Sequence, residues 1–120
     1  MNKEVDTKLA PTTRVIIGKR NAIDTELGIF KKASNSIDTC MTYTRPSLAV
    51  SIKQIKDAFL SAKSRGVRLR YITEINHQNF EDCKVLLSIV HELRHLDGVK
   101  TNFMISEGEY LAPLIQEKSE

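Results

Sequence analysis

The sequence predicts a three-layer α/β domain, a mainly parallel β-sheet with helices on both faces in the order βαβαβαβ. Three observations predict it. Short runs rich in Val, Ile and Thr alternate with longer stretches whose apolar residues recur at helical spacing. Glycines stand where helices must stop, at Gly66 and Gly98. The chain has 120 residues, 41% of them hydrophobic, enough for one core without staples. Strands alternating with helices imply parallel neighbours joined by right-handed crossovers.

Residues 1–13 are polar, contain Pro11, and read as a flexible lead-in to a single domain over 14–115, with 116–120 as a tail. Arg14–Ile17 reads as a short strand ending at Gly18. A helix over about Asn21–Ser34 carries Ile23, Leu27, Phe30 and Ala33 on one face. Ser36–Met41 is a second strand, with Ile37 and Cys40 apolar. Pro46 and Ser47 open a second helix, in which Leu48, Ile52, Ile55, Phe59 and Ala62 recur until Gly66 stops it. Val67–Thr73 is a third strand. There Arg68 and Arg70 alternate with Val67, Leu69 and Tyr71, so one side is either partly open or meets acidic partners. A third helix starts near Asn79 and carries Phe80, Cys83, Leu86, Leu87, Val90 and Leu93 before Gly98. Val99–Ile105 is the fourth strand, and Glu109–Ile115 begins a fifth, with Pro113 favouring an edge.

The net charge of +3, with bases interleaved among acids, argues against nucleic acid as a partner. The densest basic cluster, Lys63, Arg65, Arg68 and Arg70, straddles a helix end and complements its dipole. No apolar run approaches a membrane span and no hydrophobic leader opens the chain, so a cytoplasmic protein without a membrane partner is expected. Cys40 and Cys83 sit at apolar-periodic positions and read as buried free thiols.

The segment His91–Phe103, HELRHLDGVKTNF, offers chemistry and then argues against it. On a helix, His91 and His95 would place two imidazoles one turn apart with Glu92 as general base, the pattern of a zinc hydrolase. The third ligand is missing: Thr101 stands where a third His is wanted, and only distant Glu109 or Glu117 could substitute. The same residues resemble the phosphoacceptor box of histidine kinases, but a strand follows too soon after Gly98 for the long helical hairpin such a box needs. Neither Ser47 nor Ser106 lies in a nucleophile elbow, and Gly18 lacks the companion glycines of a dinucleotide loop. Thr42–Ala49 joins the second strand to the second helix, which puts its hydroxyls and Arg45 at the C-terminal edge of the sheet, near helix amides that favour anions. A helix-capping turn, with Thr44 or Ser47 as the cap and Arg45 solvated, accounts for the segment equally well.

Several longer stretches carry a resemblance. They are Thr44–Ala49 (TRPSLA), Ala58–Lys63 (AFLSAK) running into Arg65–Ile75 (RGVRLRYITEI), Glu92–Lys100 (ELRHLDGVK), Asn102-Phe103, Ser106-Glu107 and Glu109-Tyr110. Over Arg14–Pro113 the chain resembles the N-terminal sensory region of archaeal signal-transduction histidine kinases. That region is similar in turn to half of a phospholipase D-like fold. In that group position 91 is usually acidic, which makes the His-Glu-x-x-His match a chance substitution. The phospholipase signature His-x-Lys followed by Asp would fall around Glu109–Ala112, where the chain reads Glu-Tyr-Leu-Ala, so the resemblance implies a non-catalytic module. With no PAS, phosphoacceptor or ATP-binding region before Glu120, the chain would be an excised input domain or a small stand-alone relative.

The function expected on this reading is a regulatory input domain without cofactor or catalysis. It would bind a small anionic ligand or a signalling partner at the strand-end rim through Thr44, Arg45, Ser47, Glu74, Glu107 and Tyr110. Arg45 would pair with the anion, Ser47 and the helix amides would donate, and Glu74 and Glu107 would orient Arg45. The alternatives are a zinc hydrolase built on His91, His95 and Glu92, and a structural module that forms a homodimer through the edge Tyr110–Ile115.

Overall fold

The computed structural model describes residues 13–112. They form helices α1 (Lys19–Lys32), α2 (Pro46–Ser51), α3 (Lys53–Ser64) and α4 (Phe80–Leu87), and strands β1 (Ser36–Met41), β2 (Arg68–Thr73), β3 (Glu92–His95), β4 (Phe103–Ser106) and β5 (Tyr110–Leu111). The sheet order is β3-β2-β1-β4-β5. The centre is parallel: β2 runs with β1 on one side and with β3 on the other. The last two strands turn back, β4 antiparallel to β1 and β5 antiparallel to β4.

Successive residues of a strand face opposite sides, and here one side holds most of the buried residues. Leu69, Tyr71 and Thr73 of β2 are buried, as are Ile37, Thr39 and Met41 of β1 in register beside them. Met104 extends the same face onto β4. Against it pack Ile29, Phe30 and Ala33 of α1, Ala49 of α2, Ile55, Phe59 and Ala62 of α3, and Leu86 of α4. The Phe59 ring lies between Phe30, 4.6 Å away, and Tyr71, 6.3 Å away, and links two helices to the sheet.

The helices therefore form one layer, and the expected three layers reduce to two. Arg68, Arg70 and Ile72 explain why. They point to the other side of β2, where a second helix layer would have to bury two guanidinium groups. The α/β class and the parallel centre stand.

Five elements differ from the sequence expectation. Arg14–Ile17 forms no strand, and Val15 and Ile17 are exposed. Gly18, at φ 97°, precedes α1, which starts at Lys19. The long second helix is broken at Ile52, whose extended backbone (φ −84°, ψ 111°) ends α2 and starts α3. The third helix stops at Leu87, and Glu92–His95 of the HELRH segment form strand β3. The fourth strand begins only at Phe103, and the fifth, expected over Glu109–Ile115, is Tyr110–Leu111, with 113–115 outside the described residues. The proposed domain ends at 13 and 115 also fall at or beyond those limits. Cys40 and Cys83 are buried free thiols, their pKa values raised by burial. Among the described residues no helix is long and apolar enough to cross a membrane.

Glu107 fastens the α1–β1 turn. Its carboxylate accepts from the backbone N–H groups of Ser34 (2.6 Å), Asn35 (3.3 Å) and Ser36 (3.2 Å). Those amides hold its pKa down to about 2. A carboxyl whose folded pKa is depressed stabilises above the ordinary carboxylate range and loses that contribution as pH falls toward the folded value. Thermal melts of the Glu107→Gln variant should therefore lie below the parent at pH 7 and converge with it as pH drops from about 4.5 to about 2. Equal separation at every pH would contradict the turn-fastening role. Phe59→Ala should cost about 3–5 kcal/mol in urea unfolding, since it removes a fully packed ring.

Candidate functional site

The break at Ile52 turns α2 and α3 apart. Segment α2 then packs on α4 and α3 on α1. A cavity of about 240 Å³ remains where they part, between α1, the α2–α3 junction and the inner face of β1 and β2. Its walls are apolar: Ile23, Met41, Leu48, Ile52, Ile55 and Phe59. Into it come four polar groups from four different elements: Glu26 of α1, Thr39 of β1, Arg45 before α2, and Tyr71 of β2, with Lys19 also lining it.

Burial pushes the Glu26 carboxyl up, and the nearby Arg45 charge opposes that shift. Burial raises the Tyr71 phenol strongly, helped by Glu26 and opposed by Arg45. Glu26 and Arg45 thus feel each other, yet no ion pair forms between them within 4.0 Å. Thr39, which also lines the cavity, is 4% exposed and its hydroxyl has no hydrogen-bond partner.

The six residues expected to form a rim site separate. Thr44, Arg45, Ser47 and Glu74 do lie at one end of the sheet, beyond the C-termini of β1 and β2. Asn79 ties their loops, donating from Nδ2 to the carbonyls of Tyr43 and Glu74, each at 2.9 Å. Glu107 and Tyr110 lie at the other end, because β4 runs antiparallel to β1 and pairs Ser106 with Ile37. Glu107 cannot orient Arg45. Glu74 accepts from the Gly98 N–H at 3.0 Å. The hydroxyls act locally, Ser47 Oγ donating to the Thr44 carbonyl at 3.1 Å and Thr42 sharing a hydrogen with Thr44. Neither Thr44 nor Ser47 caps α2, which has no side-chain cap. Of the six, Arg45 alone lines the cavity. Sequence reading missed Glu26, Thr39 and Tyr71; the only trace was a carboxylate next to the apolar stripe of α1.

The zinc alternative fails on geometry. His91 lies in the bend just before strand β3, which begins at Glu92, so no helical turn brings His91 and His95 onto one face. His91 Nδ1 accepts from the Leu69 N–H and His95 Nδ1 from the Ile75 N–H, both at 2.9 Å, at opposite ends of β2. Glu92 instead pairs with Arg68 and Arg94 on the outer face, where Arg68 holds its pKa below the usual carboxylate range. No cluster of three metal-ligating side chains occurs among the described residues. The outer face is otherwise neutralised within itself, Arg70 holding Asp38 through two bonds of 2.7 Å.

No protein-family model and no curated protein matches the chain. Its fold is similar to that of TrmBL2, an archaeal chromatin protein whose structure shows a novel mode of DNA binding. The TM-score is 0.58 at 18% sequence identity, over 94% of this chain and 45% of that one, so this chain spans less than half the length of its structural neighbour. The likeness is one of fold, and it overturns the resemblance to histidine-kinase sensory regions and to half of a phospholipase D-like fold. The stretches that carried it, such as RGVRLRYITEI, encode a helix stop and an amphipathic strand that many α/β sheets need.

Removing the His91 imidazole leaves the partly buried Leu69 amide without its acceptor. His91→Ala should lose about 1–3 kcal/mol in urea unfolding, and added zinc or chelator should leave the melting temperature of the parent unmoved. A zinc-dependent rise that the variant lacks would restore the metal reading.

Proposed function

We propose that this chain is a non-enzymatic, DNA-associated domain that meets the phosphate backbone with the outer face of α1 and α3. The observation that carries the reading is the likeness over 94% of the chain to an archaeal chromatin protein that binds DNA. It replaces two expectations at once, the signalling input domain and the exclusion of nucleic acid.

The charge distribution supports it and explains why the sequence argued otherwise. Along the chain the bases are interleaved with acids, but folding sorts them. Helix α1 carries Lys19, Arg20, Lys31 and Lys32 against Asp24 and Glu26, and α3 carries Lys53, Lys56 and Lys63 against Asp57. The remaining described residues hold as many acids as bases. The excess positive charge therefore gathers on two helices that pack side by side, with Phe30 against Phe59 beneath them. Such a face suits sequence-independent phosphate contact, in which affinity falls steeply with salt. A DNA-associated role also keeps the cytoplasmic expectation for an archaeal-type protein, since the DNA lies there.

Fluorescence anisotropy with a labelled duplex tests the reading. Binding should be weak, with Kd on the order of 10⁻⁴–10⁻⁶ M near physiological salt, and should tighten at low salt. Lys31→Gln with Lys56→Gln should lower the salt slope by about one per lysine in phosphate contact, without preference for sequence. No binding at low salt, or an unchanged slope in the double variant, would contradict it.

A further inference from the structure

The cavity under α1 goes beyond DNA contact, and its chemistry does not depend on that proposal. A void among apolar side chains ordinarily closes or stays dry. This one lies at the Ile52 break and brings a carboxyl group, a guanidinium, the Lys19 ammonium and two hydroxyls to apolar walls. Glu26 and Arg45, both only half-buried, line the same space from different elements without pairing with each other, so each is free to meet a ligand group. Thr39, nearly fully buried with an unpartnered hydroxyl, is a third group waiting for one.

A lone anion would satisfy Arg45 or Lys19 and leave Glu26 without a partner; a lone cation would satisfy Glu26 and leave the two bases without one. A molecule with both charges on one carbon frame satisfies both. Its remaining polar edge can meet Thr39 and Tyr71, and an apolar side chain can fill the space against Met41, Leu48, Ile52 and Phe59.

We infer that this cavity binds a free α-amino acid with an apolar side chain, its carboxylate on Arg45 and its ammonium on Glu26. The site differs from the expected rim site in ligand charge and in place: it lies beneath the helices and uses only Arg45 of the rim residues. The bound molecule would bridge α1 to the α2–α3 junction and so stiffen the helix layer.

Titrations of ¹⁵N-labelled protein, in the absence of DNA, test the assignment with L-leucine, L-isoleucine and L-phenylalanine. At least one should give saturable shifts at the amides of Glu26, Thr39, Arg45 and Tyr71. For the best binder, the matching amine without carboxylate and the matching acid without ammonium should each bind at least about tenfold more weakly, as loss of a charged hydrogen bond predicts. Glu26→Gln and Arg45→Gln should each weaken the amino acid by about tenfold or more while far-UV circular dichroism stays unchanged. Absence of shifts with all three amino acids would overturn the inference. So would equal binding of the amine or acid analogue, or saturation by glucose or glycerol instead. Because DNA is not in the sample, failure here leaves the DNA reading standing, and failure of the anisotropy experiment leaves this one.

Discussion

Along β2, Leu69, Tyr71 and Thr73 turn inward while Arg68, Arg70 and Ile72 turn out, and β1 repeats the division with Ile37, Thr39 and Met41. Everything else in the domain answers to that alternation. A parallel pair is ordinarily covered on both faces because both are apolar. Here one face carries Asp38–Arg70 and Arg68–Glu92 pairs across neighbouring strands, so covering it would strip water from charges for modest return. All four helices must share the remaining face.

That crowding shapes the helix layer. One straight helix from Pro46 to Ser64 would serve a single neighbour, whereas the break at Ile52 lets α2 reach α4 and α3 reach α1. The cavity is the space left at the turn, and it holds Glu26, Thr39, Arg45 and Tyr71 because the inner face of the sheet is not wholly apolar there. The same one-sided packing gathers α1 and α3 at the outside of the molecule, and with them the lysines that give the described domain its positive excess. Charge interleaved along the chain is thereby gathered in space, which is what matters to a polyanion.

The elements whose period agrees with their neighbours were legible: α1, β1, α3 and β2 lie within a few residues of where their spacing puts them, and the outward arginines of β2 already hinted at an open face. The segment after Leu87 was not. Val90 and Leu93 continue the helical spacing of Cys83, Leu86 and Leu87, and no glycine or proline intervenes before Gly98. What decides it is tertiary: β2 offers an unpaired edge and Arg68 beside it, and Glu92–His95 gains a ladder there that a helix could not supply. The break at Ile52 is hidden for the same reason, since nothing in Ser51-Ile52-Lys53 disfavours a helix. Of the site, Arg45 was legible from its place after β1. Glu26, Thr39 and Tyr71 converge only through register, and Glu107 was misplaced because the antiparallel return of β4 carries it to the opposite end of the sheet.

The most direct test of the account is a map of where a DNA duplex touches the folded domain, read from backbone amide shifts at low salt. Perturbed amides should cluster on α1 and α3, around Lys31 and Lys56, while β2 and β3 on the open sheet face stay unmoved. Shifts concentrated on Arg68, Arg70 and Arg94 of the open face, or none anywhere, would contradict it.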